Sequence, residues 1–161
     1  MAALDGPSPS FEPKTAALAG TVLLDGPLTR VFALFSPLGE RAWVPGWNPE
    51  ILAPPGAEWE PGMIFRTELD GIHAVWVVAE LDREAHRVVY YRTEPGRLVA
   101  RVEVRCRPVE QDHTEATVAY SYVGLSEEGN AHVAEWNGAA FASKMARWQE
   151  SINACLQDTS I

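Results

Sequence analysis

MIFRTELDGIHAVWVVAEL, residues 63–81, decides the fold. Two runs with the composition of β-strands, Met63–Leu69 and Ile72–Leu81, are joined by Asp70-Gly71 alone. A two-residue Asp-Gly link takes positive φ at both positions, which a type I′ hairpin supplies. The link fixes the register: Leu69 opposite Ile72, Thr67 opposite Ala74 and Phe65 opposite Trp76, all on one side of the sheet. Arg66, Glu68 and His73 fall on the other side, so the side carrying Phe65, Thr67 and Trp76 is expected to be buried.

Three more strands are expected downstream, Arg87–Thr93, Leu98–Pro108 and Thr114–Val123, separated by turn residues at 82–86, Glu94-Pro95-Gly96 and 110–113. Ala100, Val102, Val104 and Cys106 alternate with Arg101, Glu103, Arg105 and Arg107, which gives a core face and a solvent face. The same alternation turns Ala116, Val118, Tyr120 and Tyr122 inward. Upstream, Ala16–Leu24 reads as a strand ended by Asp25-Gly26-Pro27. Pro27 opens a short helix with Leu28, Val31, Phe32, Leu34 and Phe35 at helical spacing, Pro37 stops it, and a second helical turn covers Leu38–Trp43. Ile51–Trp59 reads as an irregular edge strand broken by Pro54 and Pro55. Residues 1–14, with Pro7, Pro9 and Pro13, are expected to form a disordered or loosely attached arm without a secretory signal, ahead of one domain over 15–161.

After Leu125 the hydrophobic period changes. Ala134, Asn137, Phe141, Met145, Trp148, Ile152 and Cys155 share one helical stripe, with Glu135, Lys144, Arg147, Gln149 and Glu150 off it. One helix from Ala131 to Leu156, capped by Asn130, would be roughly 39 Å long at 1.5 Å per residue, enough to span the sheet.

Composition narrows the function. A chain of 161 residues removes roughly 70% of its unfolded surface from water on folding, so it needs no staples. Its net charge of -9 repels phosphate backbones and argues against nucleic acid as a partner. Arg97, Arg101, Arg105 and Arg107 read as a solvated strand face. Cys106 and Cys155 lack metal or redox spacing and predict free thiols in the cytoplasm. His73, His86, His113 and His132 form no HxxxH pair, no segment is long and apolar enough for a membrane span, and neither metal nor cofactor is expected. No nucleophile elbow or phosphate loop occurs, so no catalytic residue is marked.

The order of elements (strand, two short helices, six strands in meander, long helix) resembles the α+β helix-grip fold of the START-like superfamily, also called SRPBCC, over about Thr15 to Leu156. Phe35-Ser36-Pro37 with Glu40, Trp43-Val44-Pro45-Gly46-Trp47, Trp76-Val77-Val78, Tyr90 with Pro95-Gly96, and Tyr120-Ser121-Tyr122 leading to residues 125–130 are similar to an uncharacterised bacterial branch of it. The resemblance implies a curved antiparallel sheet of about seven strands with the last helix over its concave face, and a cavity between them. It implies binding of a small hydrophobic or aromatic molecule for transport, sequestration or sensing. The alternatives are an enzyme similar to polyketide cyclases or dehydratases and a co-chaperone-like module that binds protein. A homodimer is left open.

The candidate cavity residues follow from these placements. Trp43 and Trp47 flank a rigid Pro-Gly turn at the expected cavity mouth. Phe65, Thr67 and Trp76 face inward by hairpin register, and Tyr120 and Tyr122 by alternation. In the strand from Arg87, either Tyr91 or the pair Tyr90 and Arg92 faces inward, so Tyr91 and Arg92 both stand as candidates; an inward Arg92 would suit a ligand carboxylate. On the helix stripe, Asn137 offers a polar contact beside Phe141, Met145 and Trp148.

Overall fold

The computed structural model describes residues 10–56, 58–110 and 112–158. Strand β1 (Thr15–Leu24) leads through α1 (Leu28–Ala33) and a 3-10 turn (Gly39–Ala42) into a short edge strand, β2 (Glu50–Ala53). β3 (Ile64–Leu69), β4 (Ile72–Asp82), β5 (Arg87–Glu94), β6 (Leu98–Glu110) and β7 (His113–Gly124) follow, then α2 (Glu127–Glu135) and α3 (Gly138–Gln157). All seven strands form one antiparallel sheet in the order β1-β7-β6-β5-β4-β3-β2. The Asp70-Gly71 link has φ of 53° and 78°, and β3 pairs with β4 in the expected register, Phe65 opposite Trp76. Register shifts in β2–β3, β4–β5 and β6–β7 mark irregularities of the bulge type that bend a sheet.

Cross-strand pairing lays two rows of side chains across the concave face. One runs Phe65, Trp76, Arg92, Ala100, Tyr122, Ala16; the other runs Tyr90, Val102, Tyr120, Leu18. Tyr90 and Arg92 thus face inward, whereas Tyr91 is 43% exposed on the convex side and is not a cavity residue.

Ile51–Trp59 shortens to the strand Glu50–Ala53, since Pro54 and Pro55 have no N–H to extend the ladder. The single helix over 131–156 is two helices. Ser126, not Asn130, caps α2, its Oγ accepting from Gly129 N at 3.1 Å. Asn130 instead accepts from Lys14 N at 2.8 Å and donates to Glu12 O at 2.9 Å, which ties the entry of β1 to α2. Residues 1–9 of the expected arm lie outside the described residues.

The break falls at Trp136-Asn137. Asn137 has extended backbone, and its side chain accepts from Ala140 N at 2.9 Å, capping α3. Short amides compete for nearby backbone groups in this way, which favours a cap over a helix interior. Asn137 is exposed, so the polar cavity contact expected of it does not exist. Asn137→Ala should cost about 1 kcal/mol of stability, read as a shift of the urea midpoint at unchanged slope.

At about 30 Å by its 20 residues, α3 still spans the sheet, and it lies closest to β1. A Cβ at Gly20 would stand 3.1 Å from Met145 Cγ and 3.4 Å from Phe141 Cε1, so the absence of a side chain there sets the approach. Farther along, Gln149 Oε1 accepts from Leu23 N at 2.9 Å, while Asn153 bonds Asp25 N at 2.8 Å and Leu23 O at 3.1 Å. Fastened to one side of the sheet, α3 leaves room over the central strands.

Candidate functional site

That room is partly filled by tryptophan. Trp43 and Trp47 flank the Pro45-Gly46 turn, where Gly46 has φ of 76°. Each is fixed through its indole N–H, Trp43 to Leu34 O at 2.8 Å and Trp47 to Pro37 O at 2.7 Å. Trp76 stacks on Phe65 at 5.6 Å and 8°, and donates to Thr67 Oγ1 at 3.0 Å. Trp148 from α3 meets Trp43 edge-on at 5.2 Å, and Trp47 meets Trp76 edge-on at 5.6 Å. Three of the four indoles are fixed by hydrogen bonds and Trp148 by ring contacts with Phe35, Trp43 and Tyr120.

A cavity of about 170 Å³ remains between them. A dry cavity of about 150 Å³ is enough to bind benzene, so the space suits one aromatic ring. Trp43, Val44, Trp47, Leu69, Trp76, Val102, Val104 and Trp148 form its apolar wall, and Glu40, Tyr90, Arg92, Tyr120 and Lys144 its polar end.

Six of the expected residues, Trp43, Trp47, Trp76, Arg92, Tyr120 and Trp148, line the cavity. The others stand behind or beside it. Phe65 and Thr67 are buried supports of Trp76. Tyr122 is 1% exposed and stacks on Trp136 at 5.9 Å and 4°, with no partner for its hydroxyl among the described residues. Phe141 and Met145 pack on β1 over Gly20. These five are inward, as expected, but the cavity lies toward β4–β6 because α3 hugs β1.

Of the polar end, the sequence marks Arg92 and Tyr120 as candidates but not Glu40, Tyr90 or Lys144. Arg92 is anchored by buried Glu94, Nη2 to Oε2 at 2.8 Å, and its guanidinium lies 5.6 Å from the Trp76 ring centre. Its Nε has no partner among the described residues. Tyr90 donates to Phe35 O at 2.7 Å, and burial raises its hydroxyl well above the usual range. Burial likewise pushes the Glu40 carboxyl well above the ordinary carboxylate value, with Lys144 opposing the rise. Lys144 Nζ sits 4.1 Å from the ring centre of Tyr120, 4.9 Å from Trp136 and 5.5 Å from Trp148. Burial first, then Arg92 and Arg147, bring its amine down to about 7, while Glu40 and the ring faces favour the charged form. Both groups keep some exposed surface because they face the cavity.

These positions make stability depend on pH. Between about pH 7 and the ordinary lysine value of 10.5, the unfolded chain binds a proton at residue 144 that the folded chain does not. Stability conferred by this group therefore rises with pH across that window and is lowest below pH 7. Cys106, pushed up to about 12 by burial, and buried Tyr90, Tyr120 and Tyr122 act oppositely above pH 9. The wild-type stability minus that of Lys144→Met should thus increase from pH 6 to pH 9 in urea titrations; a flat difference would show that the amine keeps its ordinary titration.

No protein-family model matches the chain, and no curated protein matches it. Solved structures do. An uncharacterised protein of Rhizobium leguminosarum aligns with a TM-score of 0.65 at 17% identity, over 91% of this chain and 97% of that one. The fold is the helix grip. Norcoclaurine synthase of Thalictrum flavum has it too, with a TM-score of 0.66 at 13% identity over 92% and 98% of the two chains. So does the major latex-like protein of Panax ginseng, with a TM-score of 0.64 at 14% identity over 87% and 96%. One structure of the synthase holds dopamine and hydroxybenzaldehyde. Among the described residues no helix is long and apolar enough to cross a membrane, and no group of three metal-ligating side chains forms.

Proposed function

We propose that the helix grip of this chain binds a small molecule with a single aromatic ring, non-covalently, for transport, sequestration or sensing. The observation that carries the reading is the cavity of about 170 Å³ walled by Trp43, Trp47, Trp76 and Trp148. Burying a ring there gains roughly 25 cal/mol per Å² of apolar surface removed from water. The wall is already ordered, so little side-chain entropy is lost on binding. The similar synthase is seen with dopamine and hydroxybenzaldehyde, each a single-ring molecule.

Titration with p-cresol, followed by tryptophan fluorescence and native mass spectrometry, should saturate at one molecule per chain. Val102→Phe, which fills the cavity from the sheet side, should weaken binding at least ten-fold while the circular dichroism spectrum is kept. Equal binding by wild type and this variant would place the ligand elsewhere and end the proposal.

A second reading, an enzyme similar to polyketide cyclases, is favoured by one observation: the wall is not wholly apolar. Glu40, Arg92 and Lys144 converge on the same space, as acid–base work on a carbonyl compound would need.

A further inference from the structure

The chain carries 13 basic side chains, and only two of them, Lys14 and Lys144, are lysines. Arginine supplies the charge nearly everywhere else, including the ion pairs of the convex face such as Arg87 with Glu103 and Arg107 with Glu115. Lysine stands instead at a position in the cavity wall, one turn after Phe141 and one before Trp148. The distinction is chemical: a guanidinium stays protonated in proteins, whereas an amine desolvated among apolar groups is readily released as the free base.

Three observations describe the site of this amine. Its Nζ lies against the faces of Tyr120, Trp136 and Trp148. No hydrogen bond or ion pair from a described residue holds it. The Glu40 carboxyl faces the same cavity and is also without a hydrogen-bond partner among the described residues. An ion pair would neutralise both as catalysts; here they face the space a ligand would occupy, with apolar Leu69, Val102 and Val104 to receive its ring.

We propose that Lys144 is a carbonyl-reactive amine, so that the cavity captures a single-ring aromatic aldehyde or ketone as an imine on Nζ, with Glu40 carrying the protons. This deepens the ring-binding reading and rests on it. The neutral amine adds to the carbonyl carbon, and its displaced proton moves to the carbonyl oxygen, giving a carbinolamine. Glu40, protonated, passes its proton to that hydroxyl, which leaves as water with the electrons of the C–O bond. The nitrogen lone pair closes the C=N bond, and the N–H proton returns to the Glu40 carboxylate or stays on an iminium paired with it. One water is released and no electrons change hands. Burial holds both groups in the forms this needs, the amine brought down and the carboxyl pushed up. The charged groups acting on Lys144 are Glu40, Arg92 and Arg147, and the buried Tyr90 and Tyr120 hydroxyls share the cavity.

The test is reductive trapping of the full chain with benzaldehyde and sodium cyanoborohydride, read by intact mass and peptide mapping. Lys14 and the terminal amine are the internal comparison. One benzyl group should appear on Lys144 at least ten times faster than on either, and the rate at Lys144 itself should rise with pH to a half-point near 7, its advantage over Lys14 shrinking at higher pH. Lys144→Arg and Lys144→Met should both abolish this label, two variants guarding against a folding artefact, and Glu40→Gln should slow it at least ten-fold. If p-cresol binds and the Lys144 label is no faster than that of Lys14, the imine proposal is overturned while ring binding survives. If p-cresol does not bind either, both fail together.

Discussion

Trp43→Ala is expected to lower the melting temperature by roughly 6 to 20 °C. Trp43 is 7% exposed, packs edge-on against Phe35 at 5.9 Å and Trp148 at 5.2 Å, and donates its indole N–H to Leu34 O. Truncation removes the ring contacts, leaves a hole beside the existing cavity and takes the donor from a carbonyl at the end of α1. Replacing a buried tryptophan by alanine costs about 3 to 5 kcal/mol, and in a domain of this size 1 kcal/mol shifts the midpoint by about 2 to 4 °C. Trp43→Phe keeps most of the packing and loses the hydrogen bond, so it should fall between wild type and alanine. A drop below about 2 °C for alanine would mean that the tryptophan wall is loose and not preformed.

Gly129→Ala should be the most destabilising single methyl in the chain. Gly129 lies in the first turn of α2, where a Cβ would come 1.6 Å from Arg97 O and 2.6 Å from Arg97 C. Those are backbone atoms of the β5–β6 hairpin, and the same carbonyl accepts from Leu125 N at 2.8 Å. No side chain can swing away, so α2 has to leave the hairpin, breaking the pair of Arg97 with Glu128. We expect a loss of about 3 kcal/mol or more. Gly138→Ala, at the start of α3 with nothing within 4 Å of its Cβ, is the control and should be neutral to about 1 kcal/mol stabilising. Urea midpoints compare the two; equal effects would contradict the docking of α2.

The contrast between these glycines bears on what a sequence can reveal. The sheet was legible because its signals are local: Asp70-Gly71 imposes one turn, and strict alternation in β6 leaves one buried face. The end of the chain misled because Asn137 falls on the apolar stripe, and a periodicity argument counts the position without asking whether the amide will take the backbone N–H of Ala140. With the helix split, Asn137 moved from the cavity to a cap. Tyr91 and Arg92 could not be separated by alternation alone, and only the pairing of Trp76 with Arg92 turns Arg92 inward.

Trp43, Trp47, Trp76, Tyr120 and Trp148, expected from the sequence to face inward, do border the space, since large rings near a Pro-Gly turn and on inward faces have few places to go. Of the polar half, Arg92 and Tyr120 are candidates in the sequence, whereas Glu40 and Lys144 are not. In the sequence Glu40 stands out only as part of the resemblance, and Lys144 lies off the apolar stripe of the helix. Its position three residues after Phe141 and four before Trp148 puts it on the flank of the stripe, and in a chain with two lysines that was the available signal. What no local pattern carries is the displacement of α3 toward β1 at Gly20, which decides that the space lies over β4–β6 and not under Phe141 and Met145.

The most direct measurement is a crystal soaked with 4-bromophenol and recorded at the bromine absorption edge. One anomalous peak is expected between Trp76 and Trp148, at the polar end bounded by Lys144 and Glu40, and it should be lost in Val102→Phe. A wild-type crystal with no bromine there at saturating concentration, the four tryptophans closed on one another, would contradict it.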